Sequence, residues 1–328
     1  MNILVTGGAG YIGSHVVLLL SQQGFTPIIY DNLSKGHRRA VLAGKLICGD
    51  LADLELLKRV LEEEKIGLVM HFAASSLVGE SVANPSLYFN NNIANTLKLL
   101  DAMKETGVNK LVFSSTAATY GEPAKIPIEE DQPTVPTNPY GFSKLTMEGI
   151  MKWYDQAYGI KFIALRYFNA AGADPEGKIG EDHNPETHLI PVIMKVALGQ
   201  LPALSLFGTD YPTKDGTCIR DYIHVMDLAD AHILALKALA DGCPSNIYNL
   251  GNGQGFSNKE IIETARKVTG REIPVVESPR RPGDPAVLIA GSAKIRTELG
   301  WRPRYEDLNE IIATAWQWHK THPNGFEN

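Results

Sequence analysis

A tyrosine four residues ahead of a lysine, in NPYGFSK at 138–144, could do acid–base chemistry that neither residue does alone. Free phenol titrates near pH ~10 and is a poor base at neutral pH. Residues four apart on a helix share a face, so Tyr140 and Lys144 can enter one pocket if the chain is helical there. A fixed ammonium stabilises phenolate, and a second cation nearby adds to the effect. Moving the phenol from ~10 to ~7 needs roughly 4 kcal/mol, plausible for two cations in a sheltered site. The plainer alternative is a tyrosine and a lysine decorating an ordinary helix. The rest of the chain has to decide between them.

Such a pocket needs a scaffold. Apolar, β-branched runs at 2–6, 26–31, 45–49, 67–72, 110–115 and 161–168 alternate with amphipathic stretches such as 51–65 and 95–107. Nearly continuous apolar strands are covered on both faces. Their alternation with helices predicts an α/β fold, a Rossmann-type doubly wound parallel sheet. After about 170 the texture changes, and AGADPEGKIGEDHNPETH (171–188) is expected to be a long surface loop. RDYIHV (220–225) and NIYNLG (246–251) look like further sheet material, with a helix over 227–240 capped by Asp227. The expected organisation is therefore a sheet domain of 1–170 to which about 215–250 returns. A smaller interleaved α/β domain would take about 171–214 and 251–328. GNGQGFSNKE (251–260) follows a late strand, and it is read as a turn with Ser257 as a helix cap.

TGGAGYIG (6–13) follows the first strand and opens a helix, with glycines at 7, 10 and 13. Glycine lets backbone approach a pyrophosphate, and a helix N-terminus offers free N–H donors. Asp31 closes the second strand eighteen residues after Gly13, where a carboxylate can accept the adenosine ribose hydroxyls. A carboxylate there repels a 2′-phosphate, so NAD is expected over NADP. Lys35 and Arg38 lie close by in sequence and weigh slightly against that exclusion. Asp50, in ICGDL, fits an adenine contact.

Composition narrows the classes. A net charge of −6 argues against nucleic acid or anionic membrane as a partner. Three scattered cysteines, Cys48, Cys218 and Cys243, suit free thiols in a reducing cytosol. No metal-ligand spacing is evident; His183 and His188 lie in a loop-like run, and no metal is expected. MNILVTGG begins as a strand without a signal segment, and no run approaches a membrane span, so a cytoplasmic protein is expected.

FSSTAATYG (113–121), PYGFSK (139–144) and TGGAGYIG together resemble the extended short-chain dehydrogenase/reductase superfamily. HFAASSLVGES (71–81), RYFNAAGADP (166–175), CIRDYIHV (218–225) and RRPGDP (280–285) narrow the resemblance to the UDP-glucose 4-epimerase family, over essentially the whole chain. That resemblance implies isomerisation of UDP-glucose and UDP-galactose in galactose metabolism. It proceeds by transient oxidation at sugar C4, rotation of the 4-keto sugar and hydride return. The redox change sums to zero, so NAD is expected to stay tightly held.

The same resemblance makes Tyr140 the base, Lys144 its partner and the holder of the nicotinamide ribose, and Thr116 the hydroxyl that relays the proton. Around the cofactor it adds Tyr11 and Ile12; Asn32, Leu33, Ser34, Lys35 and Gly36; Leu51 beside Asp50; and Phe72, Ala73, Ala74 and Ser76. It also adds Asn91, Ser114, Tyr167 and Phe168. For the substrate it implies Asn169 near the diphosphate and Arg220 and Arg281 on its charges. Leu189, Phe207 and Tyr222 line the uridine, and Asp284 meets its ribose. His188, Ser205 and Leu288 complete that set. Two positions depart from the family. Ser76 stands where members often carry a phosphate-binding lysine. Leu288 is intermediate in bulk where a tyrosine excludes, and a small residue admits, an N-acetyl group, so UDP-N-acetylhexosamines are further candidate substrates. A homodimer through helices around 90–105 and 140–157 is also implied.

Three rival functions fit the sequence less well. A 4,6-dehydratase needs Asp-Glu after the catalytic hydroxyl, and here Thr116 is followed by Ala117 and Ala118. A uronate-specific epimerase would need a carboxylate clamp that the sequence does not reveal. A non-catalytic NAD sensor can lose the tyrosine or lysine, and this chain has both.

Overall fold

Seven parallel strands form the main sheet of the computed structural model, which describes residues 1–281 and 284–327. Six come from the first half of the chain: β1 (Asn2–Thr6), β2 (Thr26–Asp31), β3 (Lys45–Cys48), β4 (Ile66–His71), β5 (Lys110–Thr116) and β6 (Lys161–Tyr167). Four short strands, β7 (Asn169–Ala171), β8 (Leu204–Phe207), β9 (Ile219–Arg220) and β10 (Tyr222–His224), intervene before β11 (Asn246–Leu250) rejoins it. The order is β11-β6-β5-β4-β1-β2-β3. The chain therefore reverses direction across the sheet between β1 and β4. In open α/β sheets a ligand crevice lies outside the carboxyl ends of the strands at that point.

Both faces are covered, as the continuous apolar strands require. Helices α1 (Tyr11–Gln22), α2 (Leu54–Glu63), α3 (Val78–Ala83), α4 (Pro85–Tyr88), α5 (Asn95–Thr106), α6 (Pro139–Tyr158), α7 (Leu189–Ala197) and α8 (Val225–Ala240) follow in chain order. Val16, Val17 and Leu20 of α1 meet Leu228 and Leu236 of α8 on one face of the sheet. Leu57, Leu99, Met103, Met147 and Met151 from α2, α5 and α6 fill the other. Helix α6 has strong local signals. The Asn138 side chain accepts from Gly141 N, Pro139 sits at the first helical position, and Gly159 ends the helix in the left-handed region at φ 70°. That start places Tyr140 in the first turn.

A third cluster joins Ile190 and Ile193 of α7 to Leu204 and Leu206 of β8, Ile261 of α9 (Asn258–Thr269), and Ile311 and Ile312 near the C-terminus. Ser257 caps α9 in a reciprocal capping box with Glu260, as its position in the turn predicted. The remaining elements are β12 (Phe256–Ser257), β13 (Val275–Ser278), β14 (Val287–Leu288), α10 (Ala293–Glu298) and α11 (Leu308–Thr321).

Three expectations are corrected. Residues 219–224 do not enter the main sheet: β9 lies between β12 and β14, and β10 pairs with β7. Helix α8 starts at Val225 with His224 as its cap, and Asp227 lies inside its first turn. Buried Asp227 instead accepts from the backbone N–H groups of Arg304 and Tyr305, pinning a distant loop. The segment 171–188 is irregular beyond Ala171 and only partly at the surface, with both its start and its middle turned inward. Ala173, Ile179 and Glu181 are buried, and Trp318 of α11 covers Gly180 so closely that a Cβ there would lie 2.2 Å from the indole.

Candidate active site

Tyr140, Lys144 and Thr116 meet where β5 ends and α6 begins. Thr116 is the last residue of β5, and its hydroxyl faces the Tyr140 phenol. Lys144 lies one turn further into the protein, almost wholly buried, and its Nζ donates to the Ser114 carbonyl at 2.8 Å. Burial pushes the Lys144 ammonium down to about 7, and the nearby Glu148 carboxylate opposes that shift. The phenol behaves differently from the expectation. Burial pushes Tyr140 up, and the Thr116 hydrogen bond offsets only part of it. Without a further cation, Tyr140 is therefore protonated at neutral pH.

The glycine loop fits a pyrophosphate held by backbone. Gly7 has φ +71°, and a Cβ there would lie 2.5 Å from Ala73 N. A Cβ on Gly13 would lie 2.2 Å from Gly7 O. Gly10 caps α1 without any side-chain hydrogen bond, so no side chain competes for the N–H groups of Tyr11 and Ile12. Asp31, buried at the end of β2, accepts from Ala9 N at 3.0 Å and Leu33 N at 2.8 Å. The carboxylate thus braces the loop and keeps lone pairs for a ribose. Lys35 turns to Asn184 O (3.1 Å) and Arg38 to Cys48 Sγ (3.1 Å), so neither cation closes on Asp31.

The following segment folds back on the cradle. Leu33 takes the left-handed region at φ 58°, Ser34 N donates to Asn32 Oδ1, and a Cβ on Gly36 would lie 2.8 Å from the Ala9 backbone. Asn32 donates to Asp50 Oδ2 at 2.7 Å, and Leu51 beside it is buried. After β4, Phe72 N and Ala73 N both donate to Thr6 O. Ala74 is half-buried and Ser76 is exposed. Asn91 donates to Ser75 Oγ at 3.1 Å. On the far side, Ser114 and Tyr167 share a short hydroxyl contact, and Phe168 N donates to Leu250 O.

The expected substrate residues converge past β6. Asn169 donates to Asp221 O at 2.9 Å, leaving its carbonyl oxygen open. Arg220 pairs with Asp284 at 2.7 Å, so two residues expected to meet different parts of the ligand hold each other. Arg281 lies 4.2 Å from the centre of the Phe207 ring. Leu288 is the strand partner of Arg220. Tyr222 is buried on β10, and Leu189 begins α7 with His188 as its cap. Ser205 shares a face of β8 with Phe207 but is exposed, and no contact draws it to the group. Pro282 and Gly283 of the RRPGDP stretch lie outside the described residues.

Several residues that hold the site escaped the sequence reading. Asn92, buried in the π-helical turn Phe89–Ala94, clamps Ser75 through both backbone groups and donates to Ser143 Oγ. Glu148 receives Arg166 through two nitrogens at 2.9 and 2.5 Å and Ser115 Oγ at 2.5 Å. Arg166 also donates to Tyr120 OH at 2.9 Å. Asp221 accepts three backbone N–H groups, from Asn252, Gly253 and Ala290, and so shapes the 251–255 turn. The Asn-Asn-Asn run at 90–92 was the available signal for Asn92; nothing local marks the other two.

The profile of the NAD dependent epimerase/dehydratase family matches residues 3–251. The UDP-glucose 4-epimerase of Lacticaseibacillus casei is 57% identical, covering 99% of each chain. A crystal structure of a UDP-glucose 4-epimerase superposes with TM-score 0.98 at 53% identity, covering 100% of each chain. That of the Bifidobacterium longum UDP-glucose 4-epimerase with NAD+ and UDP gives 0.93 at 40% identity, covering 99% of this chain and 100% of that one.

Proposed function

The chain belongs to the NAD dependent epimerase/dehydratase family, and we infer from its relatives and its site that it is a UDP-glucose 4-epimerase interconverting UDP-glucose and UDP-galactose. Its cofactor is NAD. One observation carries the reading most directly. The glycine cradle and the Tyr140–Lys144–Thr116 group open at the same end of one parallel sheet.

We assign the roles as follows. NAD, when bound, supplies the hydride acceptor and donor for sugar C4. Gly7, Gly10 and Gly13 admit its pyrophosphate to backbone, and Asp31 takes the adenosine ribose. Tyr140 Oη takes the proton of the sugar 4-hydroxyl and later returns it. Thr116 Oγ1 steadies the sugar oxygen and relays that proton. Lys144, aimed by its bond to Ser114 O, places a charge beneath the phenol and reaches the nicotinamide ribose. Asn169, Arg220 and Arg281 anchor the diphosphate, so the sugar can turn while the nucleotide stays. Arg220 must then share its guanidinium between Asp284 and phosphate oxygen. Tyr140 is a strong enough base only when a cation joins it, because burial alone drives its phenol the other way.

We divide the chain into an NAD-binding unit, residues 1–170 with the part of about 215–250 that runs through α8 and β11, and a nucleotide-sugar unit of about 171–214 and 251–328; the third cluster supports the second unit and draws Tyr222 into it. Phe142 and Trp153, eleven residues apart on α6 and so on one face, are exposed apolar side chains, and Phe89 packs edge-on against Phe142. That face supports a homodimer, testable by sedimentation of the wild type and of Trp153→Lys. A cytoplasmic location is supported by three free thiols and by the finding that no described helix is long and apolar enough to cross a membrane.

Purified protein incubated with UDP-galactose, without added NAD, should form UDP-glucose. No turnover, or NADH accumulating in step with product, would overturn the assignment.

A further inference from the structure

The loop between the NAD cradle and α7 gathers two carboxylates and two imidazoles. The donor atoms of Glu181, His183, Glu186 and His188 all lie within 4.8 Å of one another. We propose that these four side chains form a site for one divalent transition-metal ion, Zn2+ by its donor set, tying the loop together beside the nucleotide-sugar cleft.

The donor separations, 2.9 to 3.7 Å, bracket the spacing of a metal's ligand shell. His183 Nδ1 is 3.0 Å from Glu181 Oε1 and 3.7 Å from Glu186 Oε2. His188 Nδ1 is 3.0 Å from Glu181 Oε1 and 2.9 Å from Glu186 Oε1. A tetrahedral ion with bonds of ~2.0–2.1 Å spaces its donors by roughly 3.3 Å. Both imidazoles present the same nitrogen to the cluster, around a shared Glu181 oxygen. Two neutral imidazoles, two carboxylates and one divalent ion leave no net charge. That matters here, because the Glu181 and Glu186 side chains are only 6% and 3% exposed and face one another. Mixed imidazole and carboxylate donors in a four-ligand set suit Zn2+.

The donors are also held from behind, as metal ligands usually are. Glu186 Oε1 accepts Thr187 N and His188 N, each at 2.8 Å. Trp318 Nε1 donates to Glu181 O at 3.3 Å, and the His183 ring stands edge-on to Tyr11. The His188 side chain, 44% exposed, leaves a way in for the ion. His188 also caps α7, so an ion here would fix the helix start that carries Leu189. The role is structural, and it stands whether or not the epimerase assignment does.

The competing account of the same contacts is a cluster of protonated histidines on two carboxylates, and metal content separates the two. Full-length protein without an affinity tag is stripped with a chelator, then equilibrated with Zn2+ or Co2+ and freed of excess. The expected result is one ion per chain, with the intense visible bands of tetrahedral Co2+. His183→Gln and, independently, Glu186→Gln should lose the ion and the bands while still co-purifying with NAD. His322→Gln, a histidine outside the cluster, should keep both. Wild-type protein that retains no ion under these conditions overturns the proposal. So do bands that survive both cluster substitutions.

Discussion

Glu148 offers the sharpest test of how the site is held. Its carboxylate is buried one turn beyond Lys144 and receives both arms of the buried Arg166 guanidinium and the Ser115 hydroxyl. Glu148→Gln keeps the shape and removes the charge. It also turns an amide N–H2 toward donors, leaving Arg166 charged and unpaired in the interior. Breaking a buried pair from one side costs about 3–5 kcal/mol. For a chain of this size, each kcal/mol moves the melting temperature by about 2 °C, so the loss should be roughly 5–10 °C. The same carboxylate opposes the burial that brings Lys144 down to about 7. Without it the ammonium becomes weaker still and is lost at a lower pH. The limb of the rate profile that follows Lys144 should therefore move toward acid.

The assay is a thermal melt with saturating NAD, paired with kcat/KM for UDP-galactose across the neutral range. Glu148→Gln combined with Arg166→Met removes the stranded charge and should recover part of the melting temperature. A single variant melting within about 2 °C of the parent would refute the reasoning. So would a double variant melting lower than the single.

Four further outcomes are expected. Tyr140→Phe should lower kcat by about 10²–10⁴-fold, the span of general acid–base contributions, while the purified variant keeps its NAD; full-speed turnover would remove Tyr140 as the base. Stability should fall as pH drops below about 6.5, because His15, His71, His224 and His232 are held neutral by burial, at about 4, 3, 3 and 4. Each such group binds its proton first in the unfolded chain, so its contribution is present above the unfolded value and lost toward the folded one. Asp221 and Asp227, raised to about 6, act oppositely and offset part of the slope; urea midpoints that rise steadily with acidification would contradict the balance. Asp221→Asn should destabilise by roughly 1–3 kcal/mol, since an amide cannot accept all three backbone N–H groups, and an unchanged urea midpoint would refute it. UDP-N-acetylglucosamine should also be converted, with Leu288→Tyr losing that activity before the UDP-glucose reaction; wild-type enzyme inert toward the acetylated sugar would end the reading of Leu288.

What could be read from the chain beforehand was what neighbouring residues decide among themselves. Strands β1 to β6 are apolar runs, and the glycines of the cradle are needed by backbone within a few residues. Tyr140 and Lys144 share a face because of helical spacing, and Asn138-Pro139 marks where the helix starts. The misses share the opposite property. Residues 220–225 do have strand character, but whether they join the main sheet depends on β7 and β14, not on their own pattern. The Gly- and Pro-rich segment 171–188 has the composition of a surface loop. Its middle, 179–181, is buried because Trp318, 137 residues beyond Glu181, arrives to cover it. Asp227 looks like a helix cap by position, yet its carboxylate answers to backbone 77 and 78 residues away. The cluster of Glu181, His183, Glu186 and His188 has no helical or hairpin spacing that would announce it. Its donors converge only because the loop doubles back between Tyr11 and α11. Composition and period therefore fix elements, whereas the choice of partner is a tertiary matter. In this protein the chemistry sits on the first kind of information, and what steadies it sits on the second. That is why substitutions at Glu148, Asp221 and the loop cluster probe the structure more severely than another glycine in the cradle would.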